Sequence, residues 1–230
     1  MNRKLAWLVL LAVLLLPAQA LADATVYESD MILVNKVWAL PADYVPSDLT
    51  MANVPFADGV AESKKQMRAD AALALEKMFN AALEEGIELL GISGYRSYYL
   101  QRDIYNRRLQ EMGEAHVSRY NAQPGHSEHQ TGLAMDLGCP GHTDLNTTFV
   151  NTPAYAWLRQ HAHEYGFIIR YTEDGEAETG YAFEPWHVRY VGEEATAVWQ
   201  SGLTLETYYQ RKLSSVSFSP LLPRLYPISE

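Results

Sequence analysis

The stretch PGHSEHQTGLAMDLG at residues 124–138 restricts this chain more than any other segment. Pro124, Gly125 and Gly132 oppose a helix there, because proline removes a backbone donor and glycine weakens helix interiors. A loop running into a short strand at residues 133–137 satisfies the same residues. His129 then stands on the loop and Asp136 projects from the strand, with Gly132 as a hinge that lets the two side chains converge.

The flanking sequence supplies elements for that strand to pack against. Met67, Ala71, Leu75, Met78, Phe79 and Ala82 recur at helical spacing, which predicts a helix over 61–85 stopped by Gly86. IELLGIS at 87–93 reads as a buried strand, and residues 98–112 as a helix closed by Gly113. Thr152 followed by Pro153 is a cap with proline at the first helical position, opening a helix to Tyr165 that Gly166 ends. FIIRY (167–171) and WHVRYV (186–191) read as strands, with short helices expected at 193–200 and 205–209. The proline-bearing segment 32–49 is expected to wrap the surface as extended chain. Helices and strands interleave without regular alternation, so the expected class is α+β, one domain with a small, mainly antiparallel sheet flanked by helices.

The first 22 residues have a different character. Arg3 and Lys4 precede an apolar run at 5–16, and Ala18, Ala20 and Ala22 follow, the layout of a cleaved secretory signal peptide. Pro17 and Gln19 interrupt the run short of the roughly 20 residues that span a bilayer, although an uncleaved anchor is the alternative. The remainder, 23–230, is expected to be one exported catalytic domain, periplasmic or extracellular, with no membrane span of its own. It carries 16 Lys and Arg against 28 Asp and Glu, a net charge of −12, which argues against nucleic acid as a partner. Cys139 is the only cysteine, so no internal disulfide can form.

A catalytic zinc ion takes three protein ligands and keeps one position open for water, so His129 and Asp136 are one ligand short. FEPWHVRY offers His187 as the third, preceded by Glu184. Residues three apart on a regular strand face opposite sides, so Glu184 shares a site with His187 only if it lies in a bend before the strand, which Pro185 favours. Zinc lowers the pKa of bound water to about 7, and a carboxylate beside it can take the proton and hand it to a leaving amine. Peptide hydrolysis fits that chemistry. Arg96, in SGYRS, is the candidate for stabilising the substrate carbonyl or gripping a carboxylate.

SEHQTGLAMD resembles the Ser-x-His-x-x-Gly-x-Ala-x-Asp signature of VanY-type zinc D-alanyl-D-alanine carboxypeptidases, the LAS metallopeptidases, and EPWH resembles their Glu-x-x-His element. SGYRS is similar to the family's arginine-bearing turn, and the VNK…LP…Y-x-P run at 34–46 to its approach segment. The resemblance implies a hedgehog/D,D-peptidase-like fold and one zinc held by His129, Asp136 and His187. It implies Glu184 as general base and then acid, Arg96 on the substrate, and Ser127 and Gln101 lining the pocket; Trp186 is expected to border the site because it stands beside His187. The implied reaction is removal of the C-terminal D-alanine from peptidoglycan stem peptides or muropeptides. L,D-carboxypeptidases acting on tetrapeptide stems and wall endopeptidases share these motifs.

His126 could be a neighbour of the metal or a fourth ligand, and Cys139 a soft ligand, although a small buried residue is the commoner use. Either as fourth ligand would suit a wall-binding domain with structural zinc rather than an enzyme. HEYGF at 163–167 begins like a zincin helix but has Phe167 where the second histidine must stand. No G-x-S-x-G elbow and no Ser-x-x-Lys pair occurs.

Overall fold

The strand after Gly132 forms the middle of a four-stranded antiparallel sheet in the computed structural model, which describes residues 29–215. The segment expected to be a signal peptide lies outside those residues. Among the described residues, no helix is long and apolar enough to cross a membrane.

The sheet comprises β3 (Leu90–Ser93), β4 (Ala134–Gly138), β5 (Phe167–Tyr171) and β6 (Glu184–Tyr190), in the order β3-β4-β6-β5. Its register pairs Met135 with Val188 and Asp136 with His187. Side chains alternate along a strand, so Met135, Leu137 and Val188 face one side of the sheet, and Asp136, His187 and Arg189 the other. The apolar side joins one core with the helix α1 (Ala69–Glu84), whose Ala71, Leu75, Met78, Phe79 and Ala82 are buried. The opposite face carries the candidate site residues Asp136 and His187.

Two small strands, β1 (Leu49–Met51) and β2 (Gln66–Arg68), form a separate ribbon before α1. They correct the expected start of the first helix at residue 61. Met67, read as its first apolar position, is instead buried as the partner of Thr50 on β1, and α1 begins at Ala69. Local helical spacing could not reveal a pairing set by a segment 17 residues earlier.

The helix α2 (Tyr98–Met112) begins at Ser97, whose Oγ accepts from the Leu100 N–H, and stops at Gly113 as expected. A separate short helix, α3 (Glu114–Tyr120), follows Gly113 and is not among the elements expected from the sequence. Only Gln101 of α2 is buried, so this helix contributes a wall to the site and almost nothing to the core. Thr152 caps α4 (Pro153–His161) through the Tyr155 N–H, and a 3-10 turn carries the chain to Gly166. The short α5 (Glu176–Thr179) precedes β6, and α6 (Ala195–Ser201) and α7 (Leu205–Ser215) follow it. Ile168, Val191, Ala195, Val198 and Leu205 form a second apolar cluster, and the last helix runs past the expected residue 209.

Candidate functional site

His129 lies in a 3-10 turn, Glu128–Thr131, that ends at Gly132 with φ +71°. That left-handed conformation suits glycine, and it turns the chain from the loop into β4. Arg68 N–H donates to the Gly132 carbonyl and pins the hinge against the small ribbon. Asp136 then faces His187 across the β4–β6 ladder. Three histidine and aspartate side chains from a turn and two strands thereby meet, all buried, with one potential ligand atom of each within 4.8 Å of the others.

The ring nitrogens have distinct tasks. His129 Nδ1 donates to the Gly94 carbonyl at 2.8 Å, which leaves Nε2 as an acceptor, 3.3 Å from Asp136 Oδ2. His187 Nδ1 lies 3.0 Å from Asp136 Oδ1. Four-coordinate zinc with bonds near 2.0 Å sets its ligand atoms roughly 3.3 Å apart, so these separations suit such an ion. Two imidazoles and a carboxylate are also a donor set found at catalytic zinc sites.

Charge is graded across the group. Burial lowers His129 to about 4, and the Arg96 charge adds to that effect, so the ring is neutral at pH 7. Burial also disfavours a charge on His187, but hydrogen bonds to Asp136 and Glu128 outweigh it and raise this ring to about 9. Asp136 is held well below the usual carboxylate range, because His129, His187 and Arg96 outweigh its burial. Glu184 goes the other way: burial pushes its carboxyl up to about 8 against the pull of His187.

Glu184 corrects the expectation of a bend before the strand, since it is the first residue of β6 and pairs with Tyr171. The β5–β6 ladder is irregular between Ile169, opposite Val188, and Tyr171, opposite Glu184, so β6 takes four steps where β5 takes two. Such a bulge breaks the strict alternation of sides, and a proline without an N–H, here Pro185, is tolerated within it. Glu184 and His187 consequently line the same small cavity of about 50 Å³, together with Arg96, Gln101, Ser127 and His129. A larger cleft of about 510 Å³ shares Arg96, Tyr120, Asn121 and Glu184 with it and is bordered by Trp186, Lys64, Arg107 and Arg108.

The remaining residues singled out from the sequence fall as follows. Arg96 Nη2 donates to Asp136 Oδ2 at 3.0 Å, and Nη1 to Gln101 Oε1 at 3.0 Å. Gln101 gives its amide N–H to the Ala122 carbonyl, so this residue holds the arginine as well as lining the cavity. His126 is bound through Nδ1 to the Asn35 carbonyl, and neither it nor Cys139 belongs to the three-residue group. Cys139 is buried. His161 contacts Glu164, and His163 stacks on Trp199.

Sequence reasoning missed Glu128, Arg170, Arg189 and Glu206. Glu128 Oε2 lies 3.2 Å from His187 Nε2, while Oε1 accepts from Arg170 Nε and Arg189 Nη1, both at 2.8 Å. The available signal was an arginine inside each of two otherwise apolar and aromatic segments read as strands, FIIRY and WHVRYV, since a charge buried there requires a partner.

The family model for VanY, D-alanyl-D-alanine carboxypeptidase, matches residues 64–193, which contain all eight site residues named from the sequence. The chain belongs to the VanY family. YodJ of Bacillus subtilis (strain 168) is 45% identical over 186 residues, 80% of this chain and 68% of that relative, so the chain spans about two thirds of its length. Among solved structures, the LdcB LD-carboxypeptidase, described with its peptidoglycan recognition, superposes with a TM-score of 0.73 at 44% identity, covering 78% of this chain and 86% of its own. A mutant of the vancomycin resistance D,D-pentapeptidase VanY in complex with Zn(II) superposes with a TM-score of 0.64 at 32% identity, covering 78% and 98%. The VanY family thus includes a zinc-bound member of the same fold, and the three ligand-type residues here fit the same ion.

Proposed function

We propose that this chain is an exported zinc carboxypeptidase that removes the C-terminal D-alanine from peptidoglycan stem peptides. In this reading residues 1–22 are the signal and 23–230 the catalytic domain. His129 Nε2, an Asp136 oxygen and His187 Nδ1 hold the ion. The observation that carries the proposal is the convergence of these three side chains, with His129, His187 and the buried carboxyl of Glu184 lining one small cavity and Asp136 and Glu184 lining the larger cleft.

When bound, zinc would supply a Lewis acid that polarises the scissile carbonyl and makes water acidic enough to attack it at neutral pH. Glu184 accepts the proton lost by the attacking water and delivers it to the departing D-alanine nitrogen. A carboxyl raised to about 8 gives and takes protons readily near neutral pH. Arg96 presents a guanidinium whose buried Nε has no hydrogen-bond partner among the described residues, a donor left for the substrate carbonyl or terminal carboxylate. Gln101 aims that guanidinium, Ser127 lines the cavity, and Trp186 borders the cleft that receives the rest of the stem.

Removal of D-alanine after an L-centre is the second reading, favoured by the higher identity and TM-score to the LdcB LD-carboxypeptidase. The test is incubation of zinc-loaded protein with synthetic pentapeptide and tetrapeptide stems, reading released D-alanine by mass spectrometry with and without chelator. Chelator-sensitive release from the pentapeptide alone assigns D,D specificity, and release from the tetrapeptide assigns L,D. Silence on both defeats the carboxypeptidase reading and leaves an endopeptidase or a wall-binding domain.

A further inference from the structure

We infer that Glu128 is a positioning residue for the metal centre, completing a carboxylate–histidine–metal triad with His187, and that a buried chain of charges ties it to the last helix and to the N-terminal segment. The inference rests on the zinc reading above. It concerns residues to which neither that reading nor the sequence signature gives a role: Glu128 occupies an open position of Ser-x-His-x-x-Gly-x-Ala-x-Asp.

A histidine that binds a metal through one ring nitrogen commonly donates the other N–H to a fixed acceptor, which sets both tautomer and ring plane. His129 has such an acceptor in the Gly94 carbonyl. Among the described residues the acceptor placed at His187 Nε2 is Glu128 Oε2, at 3.2 Å, and this leaves Nδ1 facing Asp136. The division of labour on the carboxylate is informative. Both arginines converge on Oε1, so Oε2 is left for the histidine.

The arrangement is braced at both ends. Arg170 continues to Glu206 on α7 through two hydrogen bonds, Nη1 to Oε2 at 2.9 Å and Nη2 to Oε1 at 2.6 Å. Asn35 Nδ2 donates to the same Glu206 at 3.0 Å. Arg189 Nη2 donates to the Asp30 and Ile32 carbonyls and Nε to the Tyr190 carbonyl. The side chains of Glu128, Arg170 and Arg189 are fully buried. Placing three charges out of water is unfavourable, and a chain that needed only packing would fill the space with apolar groups. Its retention beside a ligand histidine fits a geometric task. Glu206, Asn35 and the Asp30 and Ile32 carbonyls all lie outside residues 64–193, so segments beyond the family match hold the tautomer of a ligand within it.

The test compares wild type with Glu128→Gln and with the charge-balanced double variant Glu128→Gln/Arg189→Met. Folding of each is checked by circular dichroism, zinc affinity is read by competition with a chromogenic chelator, and the visible spectrum is recorded with cobalt in place of zinc. The inference predicts a zinc affinity lower by about 10- to 100-fold and an altered cobalt spectrum in both folded variants. A folded variant with wild-type affinity and spectrum overturns the brace while leaving the metal-centre reading intact. Should neither variant fold, nitrogen NMR of zinc-loaded wild type decides: His187 bound through Nδ1 with a protonated Nε2 supports the triad, and binding through Nε2 overturns it. A wild type that takes up no zinc overturns the metal-centre reading and the triad with it.

Discussion

Asp136 and His187 are register partners on neighbouring antiparallel strands, and their side chains meet at 3.0 Å on the polar side of the sheet. The spacing of these two proposed ligands is therefore set by a backbone ladder, the most rigid part of the fold, while His129 comes from the adjoining turn. A site on paired strands holds its geometry more closely than one on loops.

The protonation pattern gives a pH prediction for the metal-free protein. His187 is raised to about 9 from an ordinary value of 6.5, so the stability it contributes is complete below 6.5 and is lost as pH rises through 9. Glu184 is raised to about 8 from 4.5, so the folded state is increasingly disfavoured as pH rises from 4.5 to 8. His129, lowered to about 4, acts oppositely but only between 4 and 6.5. In chelator, the melting temperature should fall steadily from pH 6.5 to 9. A flat or rising curve by scanning calorimetry would contradict the assignment.

Zinc uptake should reverse that trend. A proton on His187 competes with the metal, so the apparent affinity should increase with pH across 6.5–9, with up to one proton released per ion from this ring. Titration calorimetry in buffers of different ionisation enthalpy measures the release. Uptake with no proton released at pH 7 would count against His187 as a ligand.

Glu184→Gln keeps the shape of the side chain and removes the acid–base function. Zinc should remain bound at one ion per chain, while turnover falls by about 10²- to 10⁴-fold. Metal analysis and kcat on the preferred stem check both halves, and unchanged turnover would place the base elsewhere.

Gly94→Ala probes the carbonyl that orients His129. A Cβ there would stand 2.4 Å from the Gln66 carbonyl oxygen and 2.9 Å from that of Lys64, so the backbone must move. Overpacking against rigid backbone costs about 1–3 kcal/mol, and the displaced Gly94 oxygen would release His129 Nδ1. Lower zinc affinity together with a lower melting temperature is expected, and a variant unchanged in both would show that the His129 contact is dispensable.

Arg96→Lys retains the charge and loses the planar fork that reaches Gln101 and Asp136 together. KM for the stem should rise, with zinc content unchanged. Lower zinc content at an unaltered KM would reassign Arg96 from the substrate to the metal centre.

Much of this site was legible because its residues fall in short stretches whose glycines and prolines dictate backbone shape. The turn at Gly132, the strand carrying Asp136, the Ser97-to-Gly113 helix and the Thr152–Pro153 cap each follow from local chemistry. What local chemistry could not supply is pairing. Met67 belongs to a ribbon because of Thr50, and Glu184 reaches the site because the β5–β6 ladder is irregular, which depends on two strands at once. The same holds for Glu128, whose partners Arg170 and Arg189 lie 42 and 61 residues away. Only the ladder order brings those arginines to the turn that carries Glu128.

The central claim is that the three-residue group is an open, catalytic zinc site, and diffraction from zinc-loaded crystals at the zinc absorption edge tests it most directly. The account predicts one anomalous peak bonded to His129 Nε2, Asp136 and His187 Nδ1, with the fourth position facing Glu184. A peak elsewhere, or a fourth protein side chain closing the coordination sphere, would contradict it.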